Sequence, residues 1–282
     1  MTTILAGQFD YVEATGINNR GDVVGGTYVT GQEWRGYLFA DGRAMQLGSL
    51  GGQYTRVQAI NEARQIVGES RTLDGISHAV LFSGATVADL TPWALRDSAA
   101  SAINNAGTAV GAIPCDCLEF HAARFTRGGG VSDLGTLGGK SSNADGINSA
   151  GHVAGSSALG GQAGDRAFLY VNGVMSDLGA LSGMDSAARG MNNAGQVVGL
   201  SYQGWDINEA VLWEGGAVFN LNSLIDPASG WHLTDAGAIN DLGQIAASGC
   251  HQGLGVCGML LAGLALVGVR GRRRRQRRST GL

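Results

Sequence analysis

The stretch "GMNNAGQVVG", residues 190–199, is ordinary alone and decisive in company, because variants of it recur through the chain. The shared pattern is apolar-Asn-x-x-Gly-x-apolar-apolar-small. It reads "INNRGDVVG" from Ile17, "INEARQIVG" from Ile60, "INNAGTAVG" from Ile103, "INSAGHVAG" from Ile147, "MNNAGQVVG" from Met191 and "INDLGQIAA" from Ile239. Its asparagines, Asn18, Asn61, Asn104, Asn148, Asn192 and Asn240, stand 43, 43, 44, 44 and 48 residues apart. A period of that length marks a repeat architecture.

Local chemistry explains the phrase. An Asn side chain bonds its own backbone two residues on, and a Gly three positions later enters the left-handed region without a steric penalty. The apolar flanks are then two antiparallel strands joined by a short hairpin, with a bulge expected at the Gly. Arg64 replaces that Gly in the second copy, which predicts a turn strained by about 1 kcal/mol. Six symmetric copies rarely build one site, so the asparagines read as turn-formers.

A second phrase follows each of the first five asparagines: "RGYLF" at 35, "HAVLF" at 78, "HAARF" at 121, "RAFLY" at 166 and "EAVLW" at 209. Its second position is always Gly or Ala, which lets a neighbouring backbone or ring come close. The apolar run after it suits a strand covered on both faces. A Gly-containing turn and a strand such as "SDLGTLGG" complete each unit. The expectation is an all-β, six-bladed β-propeller of four-stranded repeats, each about 44 residues long. A β-solenoid is the second reading. The opening "TTILAGQF" resembles the fourth strand and is expected to complete the last blade, tying the termini together.

These two phrases at this spacing resemble the bacterial HAF repeat family, named for a His-Ala-Phe signature that reads here "HAV" at 78, "HAA" at 121 and "RAF" at 166. The resemblance covers roughly residues 3–262. It implies an extracellular repeat protein of unassigned activity and supplies no catalytic residues.

Composition supports a folded body. Among 282 residues, 44% are hydrophobic, enough for a core, and only 15% are charged, which suits a neutral sheet-rich surface. The net charge of −4 conceals an asymmetry. Seven of the 19 basic residues fall after Val269, leaving 12 against 23 acids and a net of −11 for residues 1–269. An acidic body argues against nucleic-acid binding.

Residues 1–253 are therefore read as the repeat domain and 254–282 as a hydrophobic, Arg-rich tail. The tail carries Met259, Leu260, Leu261, Leu264, Leu266 and Val267, then Arg272, Arg273, Arg274 and Arg275. An apolar run stopping at an arginine cluster reads as a membrane segment with its basic end in the cytoplasm. "LLAGLALVGVRGRRRR" resembles the PEP-CTERM sorting tail, which directs exported proteins to a membrane peptidase. The Pro-Glu-Pro motif of that tail is missing here, since no proline lies beyond Pro227. By repeat register, however, "CGMLL" at 257 is the third strand of blade six. Anchor and strand exclude one another, and the anchor is the favoured reading. The start "MTTILAGQFDYVEATG" has no basic, apolar leader. Cell-surface or extracellular placement is expected, with a leader upstream, and a cytoplasmic protein is the alternative.

Four cysteines form two local pairs. Cys250 and Cys257 flank a hairpin and are candidates for a disulfide. Cys115 and Cys117 are too close for a relaxed bridge, so strain or free thiols are expected. "CDCLEFH" at 115–121 lacks zinc-site spacing, and neither metal nor cofactor is expected. His78 and His121 hold a repeat position occupied elsewhere by Arg35, Arg166 and Glu209, so they read as strand-entry residues. Asp89, Asp133 and Asp177 recur likewise, as turn caps. A ligand site must break the symmetry. The irregular stretches "CDCLEFH" (115–121), "GQAGDR" (161–166) and "DPASGWHLTD" (226–235) are the places to look, and the last nominates Trp231, His232 and Asp235, with a sugar as the first ligand to consider.

Three functions remain. The first is a non-enzymatic, monomeric surface or secreted propeller serving adhesion, matrix contact or protein interaction, held to the membrane by its tail. The second is a carbohydrate-binding or carbohydrate-active propeller. The third is a cytoplasmic scaffold that binds proteins.

Overall fold

Every copy of the Asn phrase forms a hairpin turn of one design. In the first, the Asn18 backbone N–H donates to Asp22 O at 3.1 Å and the Gly21 N–H to Asn18 O at 3.0 Å. The Asn18 Oδ1 accepts from the Arg20 and Asp22 N–H groups at 3.1 and 3.0 Å, as an Asx turn should. The turn glycines take positive φ, from 74° at Gly243 to 81° at Gly195, and Arg64 is forced to 57°. Arg64 is compensated, because its guanidinium reaches Asp22 of the preceding turn at 2.8 Å.

A computed structural model describes residues 10–28, 33–116, 118–126, 128–161, 164–182, 185–202, 204 and 208–251. The first sheet holds β1 (Tyr11–Ile17), β2 (Val23–Tyr28), β3 (Arg35–Ala40) and β4 (Arg43–Gln46). The second holds β5 (Gly51–Ile60), β6 (Gln65–Thr72), β7 (Ser77–Ser83) and β8 (Thr86–Asp89). The third holds β9 (Ala99–Ile103), β10 (Ala109–Pro114), β11 (Phe120–Thr126) and β12 (Gly130–Asp133). The fourth holds β13 (Gly138–Ile147), β14 (Val153–Leu159), β15 (Asp165–Val171) and β16 (Val174–Asp177). The fifth holds β17 (Ser186–Met191), β18 (Val197–Tyr202), β19 (Asn208–Glu214) and β20 (Ala217–Asn220). Of the sixth, β21 (Trp231–Ile239) and β22 (Ile245–His251) lie among the described residues. All pair antiparallel with their neighbours in chain order.

The bulge falls elsewhere than the sequence suggests. It sits in the first strand, three residues before each Asn: at Thr15, Gln58, Ser101, Asp145, Arg189 and Gly237 the ladder skips a partner. The turn glycine needs no bulge because a five-residue turn already accommodates its positive φ. The extra residue adds local twist to the first strand. The bulge also explains the Gly that ends five of the phrases. A Cβ at Gly25, Gly68, Gly111, Gly155 or Gly199 would collide with the first-strand carbonyl oxygen of Glu13, Arg56, Ala99, Asn143 or Ala187 respectively.

The core is a series of seams between sheets rather than one central mass. Val24 and Leu38 of the first sheet pack with Val57, Ile66 and Phe82 of the second, and the same arrangement recurs at each following junction. A sheet covered on both faces needs neighbours on both sides, so no unit buries its apolar surface alone. The small residue of the second phrase marks each seam. The N–H groups of Ala79, Ala122 and Ala167 donate to Ser98, Ser142 and Ser186 Oγ of the next sheet at 3.0, 2.8 and 3.0 Å.

Radial order follows from burial and turns. Second strands are almost wholly buried, and fourth strands are the most exposed. The turns after the first strands all line one cavity, so first strands are innermost. This is the packing of a β-propeller, and stacked solenoid coils would not gather their turns around a single axis. The expected pairing of residues 3–6 and the third strand at Cys257 lie outside the described residues.

Candidate functional site

The axial cavity is the first place to look. It has a volume of about 440 Å³ and is lined by all six repeat asparagines. Yet each Asn amide is already used. Asn18 Nδ2 donates to Asn61 O at 3.2 Å, Asn61 to Asn104 O at 3.0 Å and Asn104 to Asn148 O at 3.0 Å. Asn148 continues to Asn192 O at 3.4 Å and Asn192 to Asn240 O at 3.1 Å. An outer row runs in parallel: Asn19 N–H to Glu62, Glu62 N–H to Asn105, Ser149 N–H to Asn193 and Asn193 N–H to Asp241 side chains, at 2.8–3.0 Å. Polar groups satisfied by one another offer little to a ligand. This belt is structural, and the asparagines are links between units as well as turn-formers.

The histidines are also structural. His78 Nδ1 lies 2.8 Å from Asp89 Oδ2 and Nε2 lies 3.1 Å from Ala94 O, with the ring buried. His121 makes the same 2.8 Å contact with Asp133. The second oxygen of Asp89, Asp133 and Asp177 accepts the N–H of Thr91, Gly135 and Gly179, the turn cap that the sequence predicts. In the fifth sheet the polarity reverses, and Asn220 Nδ2 donates to Glu209 Oε2 at 3.0 Å. These pairs pin the third strand to the fourth.

The nominated trio does not converge. On extended β21, Trp231 and His232 point to opposite faces. Trp231 meets His251 edge-on at 5.4 Å, and His232 Nε2 lies 3.7 Å from Glu209 Oε1. Asp235 Oδ2 pairs with Arg189 Nε at 3.3 Å. Cys250 faces His232 across the ladder, whereas its nominated partner Cys257 lies outside the described residues. Cys115 is disulfide-bonded, which overturns the free-thiol half of the expectation, and Cys117 lies outside the described residues. The whole tail, Met259 to Arg275 included, lies outside them too. Among the described residues no helix is long and apolar enough to cross a membrane, and no cluster of three or more His, Cys, Asp or Glu could hold a metal.

Symmetry breaks instead at the opposite end of the sheets. Loops between second and third strands, and those from each fourth strand to the next first strand, emerge together there. Trp34, just ahead of "RGYLF", stands where other copies have Ser77, Phe120, Asp165 and Asn208. Tyr11 lies 5.5 Å from Trp34 edge-on, and Tyr28 lies 6.1 Å away, tilted. The Arg56 guanidinium sits 5.9 Å over the indole, and its Nε holds Glu13 Oε1 at 3.1 Å. These five residues line a cavity of about 370 Å³. Farther round, Trp93 is 53% exposed, and Arg96 covers Phe120 at 5.8 Å while donating to Cys115 O and Glu119 O. A comparison of equivalent repeat positions would have exposed Trp34 from sequence, and Phe120 lies within the irregular stretch 115–121 that the sequence singles out. Their convergence with Glu13 and Arg56 would not have been visible.

Burial perturbs several carboxyls near the first strands. It pushes Asp145 up to about 6, against the pull of Arg189 and the 2.6 Å hydrogen bond from Asn143. It also raises Asp235, again opposed by Arg189. Glu69 is raised by burial, and Tyr54, which donates to it at 3.1 Å, is pushed up to about 12 by burial and then by the Glu69 charge.

No protein-family model and no curated protein matches the chain by sequence. Solved structures do match in shape. The β-propeller domain of the Trilobed protease from Pyrococcus furiosus, described with an open velcro topology, aligns at TM-score 0.55 and 7% identity, over 86% of this chain and 77% of that one. TolB from Acinetobacter baumannii aligns at TM-score 0.49 and 13% identity, over 75% of this chain. The aligned part spans about half of TolB, 52% of its length. The gluconolactonase XC5397 from Xanthomonas campestris aligns at TM-score 0.47 and 11% identity, over 86% and 85% of the two chains. At such identities the match to the protease domain speaks for the propeller fold alone.

Proposed function

We propose that this chain is a six-bladed, non-enzymatic binding propeller of the HAF repeat type, acting at the bacterial surface or outside the cell. Its ligand face is the end that carries Trp34, Trp93 and Phe120. One observation carries the reading: polar groups at the Asn end are consumed by belts of inter-unit bonds, while aromatic and arginine side chains gather, partly exposed, at the other end. Aromatic and Arg side chains are what binding surfaces are enriched in. The His–Asp pairs that an enzyme would use as acid or base are engaged in holding strands together. A disulfide at Cys115 fits an oxidising compartment. The apolar and arginine-rich residues 254–282 are the proposed membrane hold.

The test is retention of labelled full-length protein on the surface or extracellular matrix of the producing cells. Saturable retention that drops when Trp93 and Phe120 become Ser, and survives Asn193→Ala at the opposite end, is expected. Retention indifferent to the aromatic face would overturn the reading. Fractionation with and without residues 254–282 tests the membrane hold, which a fully soluble intact chain would refute.

A further inference from the structure

The cavity between the first two sheets carries a more specific chemistry, and the geometry points to a neutral oligosaccharide as its ligand. The inference rests on the binding-propeller reading and supplies the ligand class.

Trp34 is seated as a platform. Its six-membered ring lies against Gly26, where a Cβ would come within 2.9 Å of Trp34 Cε3. Tyr11 at 75° and Tyr28 at 38° to the indole wall the platform. A pyranose presents a face of C–H groups that packs on an aromatic ring, with hydroxyls around its edge. Each hydroxyl both donates and accepts. Beside the rings stands a group that does both. The Glu13–Arg56 bond uses only Oε1 and Nε, so Glu13 Oε2 and the two Arg56 Nη groups make no protein hydrogen bond among the described residues. An acceptor and two donors fixed side by side match a pair of neighbouring hydroxyls.

Charge and size narrow the class further. Glu13 and Arg56 cancel, as do Glu33 and Arg71, whose contact at 3.0 Å lies next along the face. With Glu69 close to both arginines as well, the site has no net positive field to draw an anionic polymer. Its volume of about 370 Å³ is at the lower end for small-ligand cavities. Trp34 also lines a second cavity of about 180 Å³, together with Gln46, Ser49, Gln53 and Thr55. With Trp34 as the shared wall, the pair suits a chain of sugars rather than one. A proline-rich peptide would use the same rings, but proline has no N–H to offer Glu13 Oε2.

The test titrates the full-length protein with cellohexaose, laminarihexaose, mannohexaose and chitohexaose, alongside hexagalacturonate and decaproline. Calorimetry and tryptophan fluorescence are the readouts. At least one neutral hexasaccharide is expected to bind. Trp34→Ala should weaken it by about tenfold, Glu13→Gln by a smaller factor, and Asn193→Ala, at the opposite end of the sheets, by less than about twofold. Gly26→Ala, which displaces the indole without removing it, should act in the same direction as Trp34→Ala. A Trp34→Ala variant that fails to fold leaves Glu13→Gln and Gly26→Ala to decide. Binding unchanged in those variants, or binding of hexagalacturonate or decaproline alone, overturns the inference. If no saccharide binds while cells still retain the protein through Trp93 and Phe120, this inference falls and the binding-propeller reading stands. If cells do not retain it either, both fall.

Discussion

The side-chain amide of Asn61 donates to the backbone carbonyl of Asn104, 43 residues later, at 3.0 Å. Meanwhile Asn61 Oδ1 accepts the N–H groups of Ala63 and Gln65 at 3.0 and 2.9 Å. One side chain thus closes its own turn and fastens it to the next. Asn61→Ala strands two turn N–H groups and one carbonyl at a buried position, and should cost about 2–4 kcal/mol in urea unfolding. Asn61→Asp keeps the acceptor and loses the donor, so it should fall between wild type and Ala. Asn240 is exposed and makes no onward link to another turn's carbonyl among the described residues, and its Ala variant should cost about 1 kcal/mol. Equal losses at Asn61 and Asn240 would refute the linking role.

The two kinds of glycine should respond differently. At Gly155 a Cβ collides with the Asn143 carbonyl oxygen, whereas at Gly151 it meets open space at a φ of 79°. Gly155→Ala is expected to lower stability by about 3 kcal/mol, because backbone must move. Gly151→Ala should cost about 1 kcal/mol. Thermal unfolding of both variants checks the order.

Asp145 predicts a pH dependence with a definite sign. Its carboxyl titrates at about 6 when folded against an ordinary 3.8. The folded chain therefore holds the proton more tightly, and ionising Asp145 costs stability above about pH 6. Asp145→Asn should stabilise the protein at about pH 8 by on the order of 2–3 kcal/mol. That advantage should fade as pH falls through 6 and vanish by about pH 4. A gain independent of pH would show that charge is not the cause.

His78 and Asp89 should behave as a strand clasp. A double-mutant cycle with His78→Ala and Asp89→Ala is expected to give a coupling of about 1 kcal/mol in stability. Neither substitution should alter ligand retention by more than about twofold. Loss of retention without loss of stability would move the pair into the binding site.

Much of the architecture was legible because it is periodic. The spacing of Asn18 to Asn240, the turn glycines and the small residue of the second phrase each obey a local rule that six repetitions make unmistakable. That Asp89 caps a turn was readable for the same reason. The first-strand bulge was not, since nothing local distinguishes Thr15, Gln58 or Arg189 as a skipped residue. Only the twist of packed sheets requires one there. The asparagine belt escaped because its acceptors are backbone carbonyls 43 or more residues away.

The sequence by itself determined the repeat, the strand count per unit and the turn chemistry, because these depend on residues close along the chain. The tertiary structure alone decided what the repeated pieces do together. It spent the six asparagines on one another and left Trp231, His232 and Asp235 with separate partners. It also gathered Tyr11, Tyr28, Trp34, Glu13 and Arg56 into one cavity. Those five come from three strands and a loop of two different units, and only the packing of one sheet on the next sets their distances.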